Sequence, residues 1–426
     1  MRIVIAAESP LTTTSSGKLA RAYAKEWLKE KHLEEISLSA HEVYIMSWSH
    51  IGEDIKHEEG WTLCAGGSNW GGEFLNGTRG PTVADREIAR LKPDVVYTDA
   101  PVWAIAPLMV ACNRNDIPLV AHLTWRGFPM SHRVVNTMPL IHTPIFTNDH
   151  SLIQFKSLVE RYKSDGIGTV EEAKNPFLDR YDDTTFPLVV RNGVSEVFKD
   201  KCKPRDKADL RKKLGIPVDN MVFISIGRNN RRADYARLLE GFKLACEEDD
   251  KISLIIHCGD PKGLILDGWN LLSLTTQMGL NGRVFFTDQS ANPREGLSDY
   301  DLNELLNCAD VFITARRAFG NNLAAKEAVR VGLPVVMMKE WWHESDGNKI
   351  DIVTHCMEAD EIYYSVADIQ SIKKWFLEKE GFEQIHEDSD LEKYYPTHEA
   401  VAKELLQVLK KATTEPHPMG NNAKVN

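Results

Sequence analysis

The sequence predicts an α/β protein made of two doubly wound parallel-sheet domains. Three observations carry that prediction. The chain has 426 residues, too many for one ordinary core, so two domains of roughly 150–200 residues each are the natural division. Apolar strands alternate with amphipathic helices throughout, the pattern of parallel sheets covered on both faces. The alternation occurs twice, with a polar break near 180–190.

In the first series the strands are RIVIAA, EVYIM, DVVYTD, PLVAHLT and PIFTN, each a short run rich in β-branched residues. The helical stretches are GKLARAYAKEWLKEKH and VADREIARLK. Residues 57–82 are Gly-rich and aromatic and read as one long loop of the kind that carries binding contacts. Residues 163–186 are polar with Gly and Pro and read as the loop before PLVVRNGV. The second series has strands MVFISIG, SLIIHCG, RVFFTD, DVFITA and PVVMM, with helices DYARLLEGFKLACEED, LNELLNCA and NLAAKEAVRV. THEAVAKELLQVLKKA is a closing amphipathic helix, and TTEPHPMGNNAKVN reads as a disordered tail. Two such series mean two Rossmann-like domains, with ligands at the carboxyl ends of the strands.

Composition narrows the function classes. Apolar residues make up 42% and charged residues 27%, which suits a soluble globular protein. No apolar run approaches the roughly 20 residues that span a bilayer, and the MRIVIAAESP start lacks the features of a signal peptide. Seven singly scattered cysteines with no CxxC pair point to reduced thiols and a cytoplasmic protein rather than a disulfide frame or zinc site. A net charge of −11 argues against a broad basic face for duplex nucleic acid.

Four signals follow one another in the second half. RNGVSEVF holds an Asn-Gly turn after an apolar strand. ISIGRNNRRADYARLLEGF is a strand, a Gly-Arg exit and a helix, so its arginines face the ligand crevice and are placed to clamp a diphosphate. The plain alternative is a solvated basic loop. LIIHCGDP ends a strand in a glycine turn. The stretch ARRAFGNNLAAKEAVRVGLPVVMM then runs a Gly-Asn-Asn triplet into a helix with a single acid, Glu327. An open helix N-terminus suits a phosphate, Gly320 permits close backbone approach, and Glu327 lies about 7 Å along the axis from Asn322, in reach of ribose hydroxyls. The plain alternative is an N-capped core helix with Glu327 solvated.

Taken together, these signals resemble the retaining glycosyltransferases of group 1 (family 4), which have the GT-B fold. The matching residues are Asn192-Gly193-Val194, Gly227-Arg228, Gly259-Asp260, and Glu327-Ala328 through Gly332, Pro334, Val335 and Val336, in order over about 150 residues. The first half matches more faintly, through TTTSSGKLARAYA, LKPDVVYTD and DIPLVAHLT. The resemblance implies two facing Rossmann-like domains with a cleft between them: an acceptor domain at 1–185, a donor domain at 186–395, a helix at 396–415 crossing back to the first domain, and a tail at 416–426. It implies transfer of a sugar from a nucleoside diphosphate sugar, a co-substrate rather than a cofactor, to an acceptor hydroxyl; with arginines and a helix dipole to meet the leaving charge and no D-x-D pair at a strand end, no metal is expected.

It also implies roles for individual residues. Glu327 matches the acid that holds the nucleotide ribose. Gly320, Asn321, Asn322 and Leu323 match the turn that holds the diphosphate and sugar. Gly227 and Arg228 match the strand exit with its phosphate-binding arginine. Ala233 stands where the family has a lysine, and Arg231 or Arg232 is the expected substitute. Gly17 matches a first-domain glycine near the donor phosphate. His122 lies two residues before the position of the family's histidine. Phe319 replaces the first acid of the family's paired-acid box. Two alternatives share the fold: a nucleotide-sugar epimerase or hydrolase, and a non-catalytic nucleotide-sugar binder. The acceptor stays open among glycan, lipid, small metabolite, protein and modified nucleic-acid base. Acidic neighbours dilute the basic, Trp-bearing helix GKLARAYAKEWLKEKH as a membrane-docking face.

Overall fold

The computed structural model describes residues 1–12, 14–33, 36–66, 83–100, 105–123, 137–138, 141–165, 181, 187–199, 204–231, 233–263, 268–287, 296–316, 322–337, 369–377 and 395–416. It divides into two compact units, Met1–Gly193 with Pro396–Asn426, and Val194–Tyr395.

The first unit carries β1 (Arg2–Ala7), α1 (Ser15–Trp27), β2 (Lys31–Leu33), β3 (Ile36–Ser39), β4 (Glu42–Ser47), β5 (Ile55–Lys56), β6 (Thr62–Ala65) and α2 (Val83–Leu91). There follow β7 (Val95–Asp99), α3 (Ala106–Arg114), β8 (Leu119–Leu123), β9 (Thr143–Phe146), α4 (Asp149–Asp165) and β10 (Leu188–Val189). The second unit opens with a 3-10 turn, Glu196–Lys199, then α5 (Pro204–Lys213), β11 (Met221–Ile226), α6 (Tyr235–Cys246), β12 (Ile252–His257), α7 (Leu271–Gln277) and β13 (Val284–Phe286). It ends with α8 (Asp299–Cys308), β14 (Val311–Thr314), α9 (Leu323–Val331), β15 (Val335–Met337) and α10 (Ile369–Leu377), after which α11 (His398–Ala412) belongs again to the first unit.

Among the described residues the first sheet runs β10-β9-β8-β7-β1-β4-β6-β5, parallel except for the β5–β6 hairpin. Apolar clusters cover both of its faces. One sets Val4, Val96 and Phe146 against Ile88 of α2 and Leu108 of α3. The other joins Ile3, Ile5 and Tyr97 to Tyr23 and Trp27 of α1 and to Leu405 and Leu409 of α11. The spacing of the buried α1 residues, Leu19, Ala20, Tyr23, Ala24 and Trp27, is that of one helical face. The second sheet runs β13-β12-β11-β14-β15, all parallel, and is likewise covered on both faces.

Several boundaries differ from the sequence reading. The supposed loop at 57–82 begins with a sheet strand: Thr62–Ala65 pairs with β4, and Trp61 beside it is fully buried. A four-residue segment ahead of a glycine run is too short to show a strand period. Residues 67–82 lie outside the described set, as does most of 163–186, although α4 extends to Asp165. The helix read as 17–32 stops at Trp27, and Lys31–Leu33 pairs antiparallel with Ile36–Ser39. The first unit extends to Gly193, beyond 185, because RNG is bonded to it. Arg191 pairs with Asp149, the Asn192 amide donates to Asp99 Oδ2 at 3.0 Å, and the Gly193 amide donates to Tyr23 Oη at 3.4 Å. No helix among the described residues is long and apolar enough to cross a membrane.

Candidate functional site

The second unit's sheet order identifies its ligand crevice. From β11 the chain adds β12 and β13 on one side, then crosses to place β14 and β15 on the other. The reversal lies between β11 and β14, and in such sheets ligands bind outside the carboxyl ends of the strands at this point. Gly227 and Arg228 leave β11 there, and Ala315 and Arg316 leave β14.

Gly227 is fixed on both sides. Its amide donates to the His257 carbonyl at 3.0 Å, and its carbonyl accepts from Tyr235 Oη at 3.1 Å. An ideal Cβ on Gly227 would lie 3.6 Å from Tyr235 Oη and 3.8 Å from Arg316 Nη1. The Arg316 guanidinium therefore overhangs the β11 exit. Burial pushes the Tyr235 phenol far above its usual range, with the nearby Arg316 charge opposing. Arg228 and Arg231 are exposed, whereas Arg316 is half-buried.

Asn229 holds the Arg228 loop in place. It is fully buried, and its amide donates to the Asp260 carbonyl at 2.9 Å and the Trp269 carbonyl at 2.6 Å. Its Oδ1 accepts the Trp269 amide at 3.2 Å. Gly268 is required by this lock, since a Cβ there would meet the Asn229 carbonyl oxygen at 2.3 Å. Asp260, of the Gly259-Asp260 turn, takes a left-handed φ of 65°, a conformation that Asp tolerates. Sequence reasoning singled out neither Asn229 nor Arg316. Asn229's partners lie 31 and 40 residues away, and Arg316 gives no local pattern beyond a second arginine beside it.

The helix that follows β14 is capped. Asn322 is its N-cap, and its side chain accepts the Ala325 amide at 3.4 Å. The N-terminus expected to be open is thus partly satisfied from within, by a residue type that favours this position. Gly332 ends α9 with φ 86°, a left-handed C-cap. The Leu323 side chain is in the core, so only its backbone is available to a ligand. Glu327 is 4% exposed and not a solvated acid, because α9 is buried on nearly all sides: Lys326 and Arg330 are buried too. Arg232, Phe319, Gly320 and Asn321 lie outside the described residues.

Two expected site residues are in the first unit. Gly17 sits in the first turn of α1, where a Cβ would meet the Ser9 carbonyl oxygen at 2.3 Å and Thr12 Oγ1 at 2.8 Å. Its amide donates to the N-cap Thr14 at 3.2 Å. Close packing by itself thus requires this glycine. His122 is fully buried in β8, with Nδ1 2.9 Å from Tyr97 Oη and Nε2 2.5 Å from the Val190 carbonyl. A carbonyl only accepts, so Nε2 carries the proton and Nδ1 accepts from the phenol. Neither ring nitrogen is left to serve a substrate in this arrangement, and His122 acts here as a link between β7, β8 and Val190, just ahead of the RNG segment. Among the described residues, no group of three or more His, Cys, Asp and Glu side chains is gathered as a metal site.

No protein-family model matches the chain, and no curated protein matches it in sequence. Its structure is similar to solved ones. Anabaena Alr3699/HepE in complex with UDP and glucose superposes with a TM-score of 0.62 at 15% identity, over 96% of this chain and 100% of that one. A glycosyltransferase from Rickettsia africae gives 0.62 at 12% identity, over 97% and 99%. UDP-GlcNAc 2-epimerase from Neisseria meningitidis bound to UDP-GlcNAc gives 0.53 at 12% identity, over 96% and 100%. At these identities the likeness is one of fold, and it spans both units: the chain has the α/β GT-B fold.

Proposed function

We propose that the chain is a glycosyltransferase that moves a sugar from a nucleoside diphosphate sugar to an acceptor hydroxyl, with retained configuration and without a metal ion. One observation carries the reading. At the switch point of the second sheet, Gly227-Arg228, Arg316 and the N-terminal end of α9, the helix that holds Glu327, come from elements that meet at the carboxyl edge. Anabaena HepE, of the same fold, holds UDP and glucose.

In this reading the bond between the sugar's anomeric carbon and the diphosphate oxygen breaks, and its electron pair stays on the diphosphate. The acceptor oxygen bonds to the same carbon, and its proton passes to the leaving diphosphate. Arginines and helix amides meet the charge that develops, which is preorganised electrostatic stabilisation. Glu327 accepts hydrogen bonds from the ribose hydroxyls. Arg231 and Arg232 are further cations on the Arg228 loop. Gly320, Asn321, Asn322 and Leu323 are the residues assigned to the diphosphate and sugar.

A panel of nucleoside diphosphate sugars, incubated with and without acceptors from a cell lysate, tests the reading by release of the nucleoside diphosphate and mass spectrometry of products. Release that depends on acceptor and survives EDTA is the expected result. Arg228→Ala should lower kcat/KM by about 10- to 1,000-fold. Activity that vanishes with EDTA and returns only with magnesium or manganese would overturn the metal-free part. The epimerase of the same fold supports a second reading, in which the donor is turned over with no acceptor present. Donor consumption that is indifferent to acceptor would favour it.

A further inference from the structure

We infer that Trp269 is a nucleobase-stacking residue: its indole is the platform for the donor's base and supplies affinity without choosing which base. The inference rests on the glycosyl-transfer reading above. In that reading Glu327 takes the ribose, and the start of α9 takes the diphosphate and sugar. The base is the part of the donor still without a protein partner, and it is the donor's one flat aromatic face.

Trp269 lies in the turn between β12 and α7, and that turn is bonded to the β11 exit. The buried Asn229, next to Arg228, accepts the Trp269 amide at 3.2 Å and donates to the Trp269 carbonyl at 2.6 Å. Gly263 lets the turn close, with a left-handed φ of 68° and a position where a Cβ would stand 2.8 Å from the Trp269 carbonyl oxygen. Just beyond, Asn270 caps α7 by accepting the Ser273 amide at 3.0 Å, and the Leu271 amide donates to the Pro261 carbonyl at 2.8 Å. The Trp269 backbone is thus fixed on both sides.

The side chain is left in water. It is 48% exposed, whereas Trp27 and Trp61 are buried and Trp48 and Trp375 half-buried. Among the described residues, nothing accepts from its Nε1–H and no ring lies against it. A single exposed apolar residue on a loose loop needs no explanation. Trp269 differs because its backbone is already ordered, so much of the entropy cost of positioning the indole falls in folding rather than in binding. Covering the wet indole with a base buries apolar surface on both partners. Such stacking tolerates any base, since each has a π face.

The test uses the full chain as wild type, Trp269→Ala and Trp269→Phe. Calorimetry measures affinity for UDP, GDP and ADP and for the matching nucleoside diphosphate glucoses, and displacement measures inorganic pyrophosphate. In Trp269→Ala each nucleoside diphosphate that the wild type binds should bind about tenfold more weakly, by a similar factor whatever the base, the scale of one base–aromatic stack. Trp269→Phe should recover most of the loss. Pyrophosphate should bind all three proteins equally. The Tm should stay at the wild-type value, because Asn229 holds the backbone and not the indole. Bound diphosphate should also quench tryptophan emission more in the wild type than in Trp269→Phe. If Trp269→Ala binds the diphosphates as the wild type does, the inference falls and the glycosyl-transfer reading stands. It falls likewise if pyrophosphate is lost in step, because the substitution then acts through the Arg228 loop. A loss confined to the nucleoside diphosphate glucoses would put the indole against the sugar, and a loss confined to one base would make it a selector; either overturns the inference. If the wild-type chain binds no member of the panel, both fall together.

Discussion

Glu327 shows how burial changes the meaning of a residue. At 4% exposure it is both a proposed ribose ligand and part of a packed helix, so removing it acts on two properties. Glu327→Ala should abolish donor binding and also lower stability by about 1–3 kcal/mol, the range for a buried polar truncation. Glu327→Gln keeps the shape and should lose binding with a smaller drop in Tm. Donor turnover with unchanged KM in either variant would remove the ribose role. Gly17→Ala should destabilise by about 1–3 kcal/mol, because the new methyl overlaps the Ser9 carbonyl and the α1 start must shift. A wild-type Tm for this variant would refute the packing argument. Glu59 offers a pH test. Arg21 holds it with two hydrogen bonds of 2.9 and 2.8 Å, the Trp61 indole donates to it, and these push its carboxyl down to about 2. A depressed folded pKa stabilises above the unfolded carboxylate value of about 4.3, and the gain is lost as pH falls through about 2. Arg21 is 46% exposed, so screening limits the effect to about 1 kcal/mol. Glu59→Gln should therefore lower Tm at pH 7 and converge with the wild type as pH approaches 2. A constant difference across that range would contradict the assignment.

At the scale of elements, α11 holds the first unit together. Val401, Leu405, Leu406, Val408 and Leu409 are buried against the sheet and α1. At about 1.5–3 kcal/mol each, with compact unfolded chains lowering the total, they contribute up to about 8–15 kcal/mol, comparable to a whole domain's stability. The Trp27 indole donates to the Ala402 carbonyl at 2.8 Å and Lys410 reaches Glu30 at 2.7 Å, fixing the helix's position. Trp27→Phe should lower stability by about 1–2 kcal/mol through the lost bond and volume, read as a shift of the denaturant midpoint. Its amphipathic stripe made α11 plain in the sequence, as the β-branched runs did for the central strands. Strand β6 and the β2–β3 pair were not legible, because three or four residues cannot display a period and their pairing depends on distant partners. The Gly-Arg exit was legible as a motif. Arg316 and Asn229 were not, since their importance arises from the β11–β14 neighbourhood and from the 260–269 turn that only the folded sheet creates. The plain alternative of a solvated Glu327 does not hold for a related reason: helical periodicity shows the main buried face but not that α9 is covered on nearly all sides.

At the scale of the whole molecule, the chain path makes the two units unequal. The second is one continuous segment, Val194–Tyr395, with its own parallel sheet covered on both faces. The first is split, and one face of its sheet, covered by α1 and α11 together, is only partly covered until residues from Pro396 onward are present. Gly193 lies against the other end of the split: a Cβ there would come within 2.7 Å of His398 Cα and 2.8 Å of the Thr397 carbonyl oxygen. The two segments of the first unit therefore interlock where the chain leaves it and where it comes back. Residues 1–193 expressed alone should be aggregated or unfolded, because removing α11 bares the apolar surface of α1, β7 and β8 on which it packs. Joining residues 396–416 to them through a flexible linker should restore a cooperative transition. Residues 194–395 expressed alone should fold and, on the proposed function, bind a nucleoside diphosphate, since Arg228, Arg316, Asn322 and Glu327 all lie within that segment. Cooperative thermal unfolding and calorimetric titration of the three pieces check this. A folded 1–193 fragment would show that α11 is dispensable. A folded 194–395 fragment that fails to bind the diphosphate held by the full chain would mean that residues of the first unit are needed for binding as well.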